Sequence, residues 1–123
     1  MKHRIKQSLV ELAEQSEPIR GRFRIASGMV YRGRLVASGV ARYKTHTVML
    51  NGAYRPEQVF LHAEADCLVR ATKVLTPKQM AGSVLYVVRV KLDGSLGLAK
   101  PCVGCMALID EFGVGSVEFT ENN

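Results

Sequence analysis

The sequence predicts a three-layer α/β/α sandwich built around a mixed sheet of four to five strands. Three patterns predict it. Apolar residues recur with helical spacing over residues 5–13 and again after residue 60; two short apolar runs between 25 and 40 meet at a glycine; and Val84 to Val90 is a β-branched run typical of a central strand. Helices and strands alternating in this order cover both faces of one sheet. A chain of 123 residues with 47% hydrophobic content fits one domain, 1–123, whose core needs no disulfide.

Ile5, Leu9, Leu12 and Ala13 stand at i, i+4, i+7 and i+8 with Lys6, Gln7, Glu11 and Glu14 between them, so the first helix lays one stripe on the core until Pro18 and Gly21 end it. Ile25 to Tyr31 and Leu35 to Val40 flank Arg32-Gly33 and read as a β-hairpin, Gly33 supplying a positive backbone angle. Residues 41–60 lack sustained periodicity and form a loop that leads into His62. Leu61, Ala65, Leu68 and Thr72 trace one face of a helix over about 61–74, and Thr76-Pro77 opens a brief further turn. After the strand at 84–90, Lys91 to Lys100 is a glycine-bearing loop, a helix over about 102–112 stops at Gly113, and Val114 to Thr120 is the last strand.

The charge is uneven. Residues 1–44 carry ten Lys/Arg against three Glu, a net of +7, and residues 45–123 carry seven against eight, a net of −1. A basic front half suits an anionic partner, nucleotide phosphate or nucleic acid, and equally suits a solvated surface. Arg20, Arg22 and Arg24 alternate and share one side of the chain if that segment is extended. No stretch approaches the roughly 18 apolar residues of a membrane span, and the charged N-terminus has no signal-peptide core. Three cysteines, two of them in Cys-x-x-Cys, point to metal or redox chemistry in a reducing, cytoplasmic setting.

The chemistry lies in His62-Ala63-Glu64 and Pro101-Cys102-Val103-Gly104-Cys105, both at expected helix starts. Unsatisfied N–H groups and the helix dipole there favour thiolates. The i, i+3 spacing of Cys102 and Cys105 aims both sulfurs at one ion, and His62 adds a nitrogen from the other helix. Two thiolates and an imidazole suit Zn²⁺ and leave a fourth position for water, the mark of a catalytic site. Glu64, two residues from His62, reaches that water without being a ligand and serves as general acid/base. Cys67, in mid-helix, reads as a buried small hydrophobe.

These two motifs resemble those of the cytidine deaminase-like superfamily, and the order of elements from about residue 3 to 120 is similar to the core of that family. The resemblance implies its sandwich fold, zinc held by His62, Cys102 and Cys105, and hydrolytic deamination of a base with Glu64 moving the protons. It also implies substrate contacts from the backbone of Ala63 and the N–H of Cys102. Many members read Gly-x-Asn at the end of the second strand where this chain has Gly39-Val40-Ala41, so Asn51 or His46 is expected to supply the missing contact, with Tyr43 or Tyr54 stacking on a base. The chain is also short at its C-terminus, which leaves a sheet edge for a second subunit to cover, so a homo-oligomer is expected. The stretch DEFGVGSVEFT is similar to the last strand of cytosine-directed members. The expected substrate is therefore a cytosine nucleoside or nucleotide. Single-stranded DNA or RNA is the alternative substrate, and a zinc-bearing nucleotide-binding module without activity is the third reading.

Overall fold

The computed structural model describes residues 1–43 and 60–122. Helix α1 (His3–Glu14) buries Ile5, Leu9 and Ala13, the stripe its spacing predicts. It ends before Pro18, where the Ser16 hydroxyl donates to the Ala13 carbonyl (2.7 Å). Gly21 instead serves a tight turn. The Ile19 N–H donates to Phe23 O (2.8 Å), with Arg20 and Gly21 at φ 53° and 63°. That left-handed pair, which suits glycine far better than arginine, breaks the extended run on which Arg20, Arg22 and Arg24 would have shared one side.

Strands β1 (Phe23–Tyr31) and β2 (Arg34–Val40) form the expected hairpin, pairing Tyr31 with Arg34. Both turn residues have positive φ, Arg32 at 51° and Gly33 at 77°, the geometry that matches the twist of two strands joined by a two-residue loop. Helix α2 (Ala63–Ala71) starts later than its periodicity suggests because Leu61 is held in a two-way backbone pair with Arg42 (2.8 and 3.1 Å). Helix α3 (Pro77–Ala81) is the brief turn at Thr76-Pro77, closed by reciprocal bonds between Thr76 and Gln79.

Strand β3 (Val84–Lys91) is central. It runs antiparallel to β1 on one side, and on the other it pairs with β4 (Leu96–Gly97) and with β5 (Ser116–Phe119), the latter in parallel. The two-residue β4 lies inside the segment expected to be loop; it is too short to carry any alternation. Helix α4 (Val103–Glu111) leads to β5 through Gly113 at φ 72°. Strand β5 begins at Ser116, two residues past the expected Val114, because Gly115 passes against the Ser83 carbonyl where a side chain would collide.

Alternation along the strands sorts the core into two layers. Ala26, Val30, Tyr86, Val88 and Val90 pack with Ile5, Leu9 and Ala13 of α1. Met29, Leu85 and Val87 pack on the other face with Leu68 of α2, Met80 of α3 and Leu108 and Ile109 of α4. The result is the expected α/β/α sandwich with a five-stranded mixed sheet. Among the described residues no helix is long and apolar enough to cross a membrane.

Candidate active site

Three local devices fix the start of α2 over the sheet. Gly39 leaves no room for a side chain: a Cβ there would lie 2.5 Å from the Cys67 backbone nitrogen and 2.8 Å from the Ala63 carbonyl oxygen. The buried Ser27 hydroxyl donates to that same carbonyl (2.6 Å). Asp66 in the first turn, also buried, accepts from Arg42 (3.0 Å), Arg70 (3.2 Å) and the Val40 N–H (3.3 Å), so a carboxylate at a helix N-terminus is paired and ties the helix to the end of β2.

His62 is the N-cap residue of α2, and Cys102 is the N-cap residue of α4. Both motifs thus sit at helix starts, as the sequence predicts. The Cys105 N–H donates to Cys102 Sγ (3.4 Å). His62 Nδ1 lies 3.6 Å from Cys102 Sγ and 3.4 Å from Cys105 Sγ, and the three ligand atoms fall within 4.8 Å of one another. A zinc ion at about 2.05 Å from nitrogen and about 2.3 Å from sulfur, at tetrahedral angles, separates those atoms by about 3.6 Å. The donor set and its spacing therefore fit Zn²⁺ with little rearrangement.

Glu64 is 5% exposed, and burial raises its carboxyl above the ordinary carboxylate range, against opposing pulls from a backbone hydrogen bond, His62 and Cys105. The Cys102 thiol moves the other way, to about 4, chiefly through its hydrogen bond with Cys105, with His62 adding to the effect and burial opposing it. A buried proton carrier beside a ready thiolate is what zinc-assisted hydrolysis asks of a site.

These groups open on a cavity of about 220 Å³ lined by His62, Ala63, Glu64 and Cys102 together with Phe60, Phe23 and Arg89. The volume is below the roughly 300–1,000 Å³ of pockets for drug-sized ligands, so it suits one small ring system. Phe60 stacks on the His62 ring (centroids 4.6 Å, planes 6° apart) and meets Phe23 edge-on at 6.5 Å. Ala41, where many relatives place an asparagine, lines the same cavity. Tyr43 does not: its side chain is exposed, its hydroxyl accepts from the Arg20 N–H (2.6 Å) and its N–H donates to Glu17 (2.7 Å). His46, Asn51 and Tyr54 lie outside the described residues. Sequence reasoning missed Phe60, in a stretch without periodicity, and Arg89. The latter was visible as the one charge inside the apolar run Val84 to Val90.

The sequence profile of the cytidine and deoxycytidylate deaminase zinc-binding region matches residues 1–121. The chain belongs to this deaminase family. No curated protein is matched in sequence. Among solved structures, the deaminase chain is similar to deoxycytidylate (dCMP) deaminase from the cyanophage S-TIM5, with 23% identity, a TM-score of 0.60, and coverage of 98% of this chain and 86% of that one. It is similar also to cytidine deaminase from Burkholderia pseudomallei (19% identity, TM-score 0.61, 100% and 86% covered). Guanine deaminase from Bacillus subtilis is a further neighbour (21% identity, TM-score 0.55, 98% and 65% covered). At these identities the neighbours establish the fold of the deaminase, and the His62, Cys102 and Cys105 cluster, which lies within the matched region, fits Zn²⁺ binding.

Proposed function

We propose that the protein is a zinc-dependent hydrolase that deaminates a cytosine nucleoside or nucleotide to its uracil form and releases ammonia. The observation that carries the proposal is Glu64, a buried carboxyl with a raised pKa, in a one-ring cavity directly beside the three-ligand cluster. A zinc ion that only held the fold together would leave no reason to bury an acid there.

His62, Cys102 and Cys105 would hold zinc, which would make water nucleophilic at neutral pH. Glu64 takes the proton of the attacking water and delivers it to the ring nitrogen of the pyrimidine. It then takes the remaining proton of the added hydroxyl and passes it to the exocyclic amine, so that the carbon–nitrogen bond breaks, ammonia leaves and the carbonyl forms. The Ser27 hydroxyl holds the Ala63 carbonyl and so fixes the backbone on which Glu64 and His62 stand. Phe60, stacked on the imidazole, sets the ring orientation and keeps bulk water from that side of the cavity.

The experiment is ammonia release from purified, zinc-assayed protein. The panel holds cytosine and adenine nucleosides, their monophosphates and short single-stranded DNA and RNA, the polymers being included because of the basic front half. Cytosine compounds should be turned over. Glu64→Gln should lower the rate by about 10²- to 10⁴-fold, the ordinary worth of a general acid/base, with zinc content unchanged. No release from any cytosine compound by the zinc-loaded protein sinks the proposal. The three free thiols suit a reducing compartment such as the cytoplasm. Leu98, Val103 and Met106, exposed at and just before the start of α4, support association into a homo-oligomer.

A further inference from the structure

Arg89 lines the cavity and forms no ion pair among the described residues. It lies on the side of β3 that carries Leu85 and Val87, both fully buried against α2 and α4, so an apolar residue is the default for its position. Its aliphatic stem runs past Gly97, where an added Cβ would come within 3.1 Å of Arg89 Cδ. Its guanidinium carbon sits 4.3 Å over the centroid of the Phe23 ring. The Nε atom is buried and has no hydrogen-bond partner, and among the described residues Arg89 makes no salt bridge. Asp66, by contrast, is answered by two arginines.

We infer that Arg89, with Lys100 at the exposed rim of the same cavity, binds a phosphate on the substrate, and that the enzyme acts on the nucleoside monophosphate in preference to the nucleoside. The inference rests on the deaminase reading above. Arg89 is half-buried with its Nε unbonded, and a ligand that brings an anion into the cavity supplies the partner that this atom lacks. A guanidinium already oriented by a stem channel and an aromatic face loses little freedom on binding, and its planar fork matches phosphate oxygens. Lys100 adds a second positive charge two residues from Cys102. Glu64, the one acid lining the cavity among the described residues, interacts with His62, Cys102 and Cys105 and is engaged with the metal cluster.

The test compares kcat/KM of the zinc-loaded enzyme for dCMP and CMP with that for deoxycytidine and cytidine, alongside a short cytosine-containing single-stranded DNA. The monophosphates should be preferred by about 10- to 100-fold, the range for hydrogen bonds to a charged group. Arg89→Gln should cut the monophosphate-to-nucleoside ratio by at least about tenfold, and Arg89→Lys should restore part of it. Two measurements avoid any dependence on the folding of those variants. Inorganic phosphate should compete with deoxycytidine in the wild-type enzyme, and calorimetry on zinc-loaded Glu64→Gln should give tighter binding of dCMP than of deoxycytidine. Equal use of nucleoside and monophosphate overturns the inference, as does an oligonucleotide preferred over dCMP by more than about tenfold. If no cytosine compound releases ammonia, the deaminase reading fails by itself, and the calorimetric comparison still decides whether the protein recognises the phosphate.

Discussion

Cys102 and Cys67 are thiols of one small domain whose surroundings drive them in opposite directions. A hydrogen bond with Cys105, aided by His62, holds Cys102 at a pKa of about 4, whereas burial pushes Cys67 up to about 12. In metal-free protein at neutral pH, iodoacetamide should therefore modify Cys102 and leave Cys67 untouched, and added zinc should protect Cys102; peptide mass spectrometry reads both. Cys67 also carries a pH dependence. Its folded pKa lies above the unfolded value of about 8.5, so above pH ~9 the unfolded chain sheds a proton that the folded chain keeps, and stability falls. Between pH ~9 and ~11 the loss should approach about 1.4 kcal/mol per unit, and denaturant titrations of Cys67→Ala should lack that component of the slope. The burial of Cys67 and the meeting of His62, Cys102 and Cys105 were legible in the sequence, because each follows from residue type and local spacing. Phe60 was not, and Arg89 showed only as a charge within an apolar run, since what places them at the cavity is a ring face and a gap at Gly97 contributed from elsewhere in the chain.

The elements divide the work unequally. Helix α2 is clamped to the sheet by Gly39, Ser27 and Asp66, while α4 packs through Leu108 and Ile109 and meets α2 where the ligands converge. Gly39→Ala should push α2 off β2, since its Cβ would meet backbone atoms that cannot rotate away. We expect a cost of about 1–3 kcal/mol in denaturant titrations, with a loss of zinc affinity that exceeds the effect of an exposed Gly94→Ala control. Helical periodicity located α1 and α2, and apolar or β-branched runs with glycine stops located the hairpin, β3 and α4, to within a few residues. Such patterning missed β4 because two residues hold no period, and it misread Arg20 to Arg24 because a pair of positive φ angles at Arg20-Gly21 leaves no mark in hydrophobicity.

For the molecule as a whole, the cluster joins α2 and α4 across the cavity, so metal binding is linked to folding. A chelator should lower Tm, and returning zinc should raise it with concentration as mass action requires. Hydrogen exchange should locate the loosening in α4 and β5, with β1 and β3, paired along their full length, staying protected. A Tm indifferent to metal would mean that the sandwich holds the site without help. The layers were legible because burial on both faces of a β-branched strand demands helices on both sides. The neighbours of β3 beyond β1 were not, since strand order depends on pairing between segments that leave no mutual signal in one sequence.

The Thr120 hydroxyl accepts from the Arg89 N–H (3.1 Å) and donates to the Gly97 carbonyl (2.8 Å), while its backbone carbonyl accepts from Ala99 N–H (2.9 Å) and its N–H donates to Val87 (3.0 Å). One residue just past β5 therefore suspends the cavity wall that carries Arg89, Ala99 and Lys100, whereas the reacting groups hang from the helices. Wall and chemistry are mounted on separate supports. A change at Thr120 should therefore alter the proposed phosphate preference while leaving zinc content unchanged.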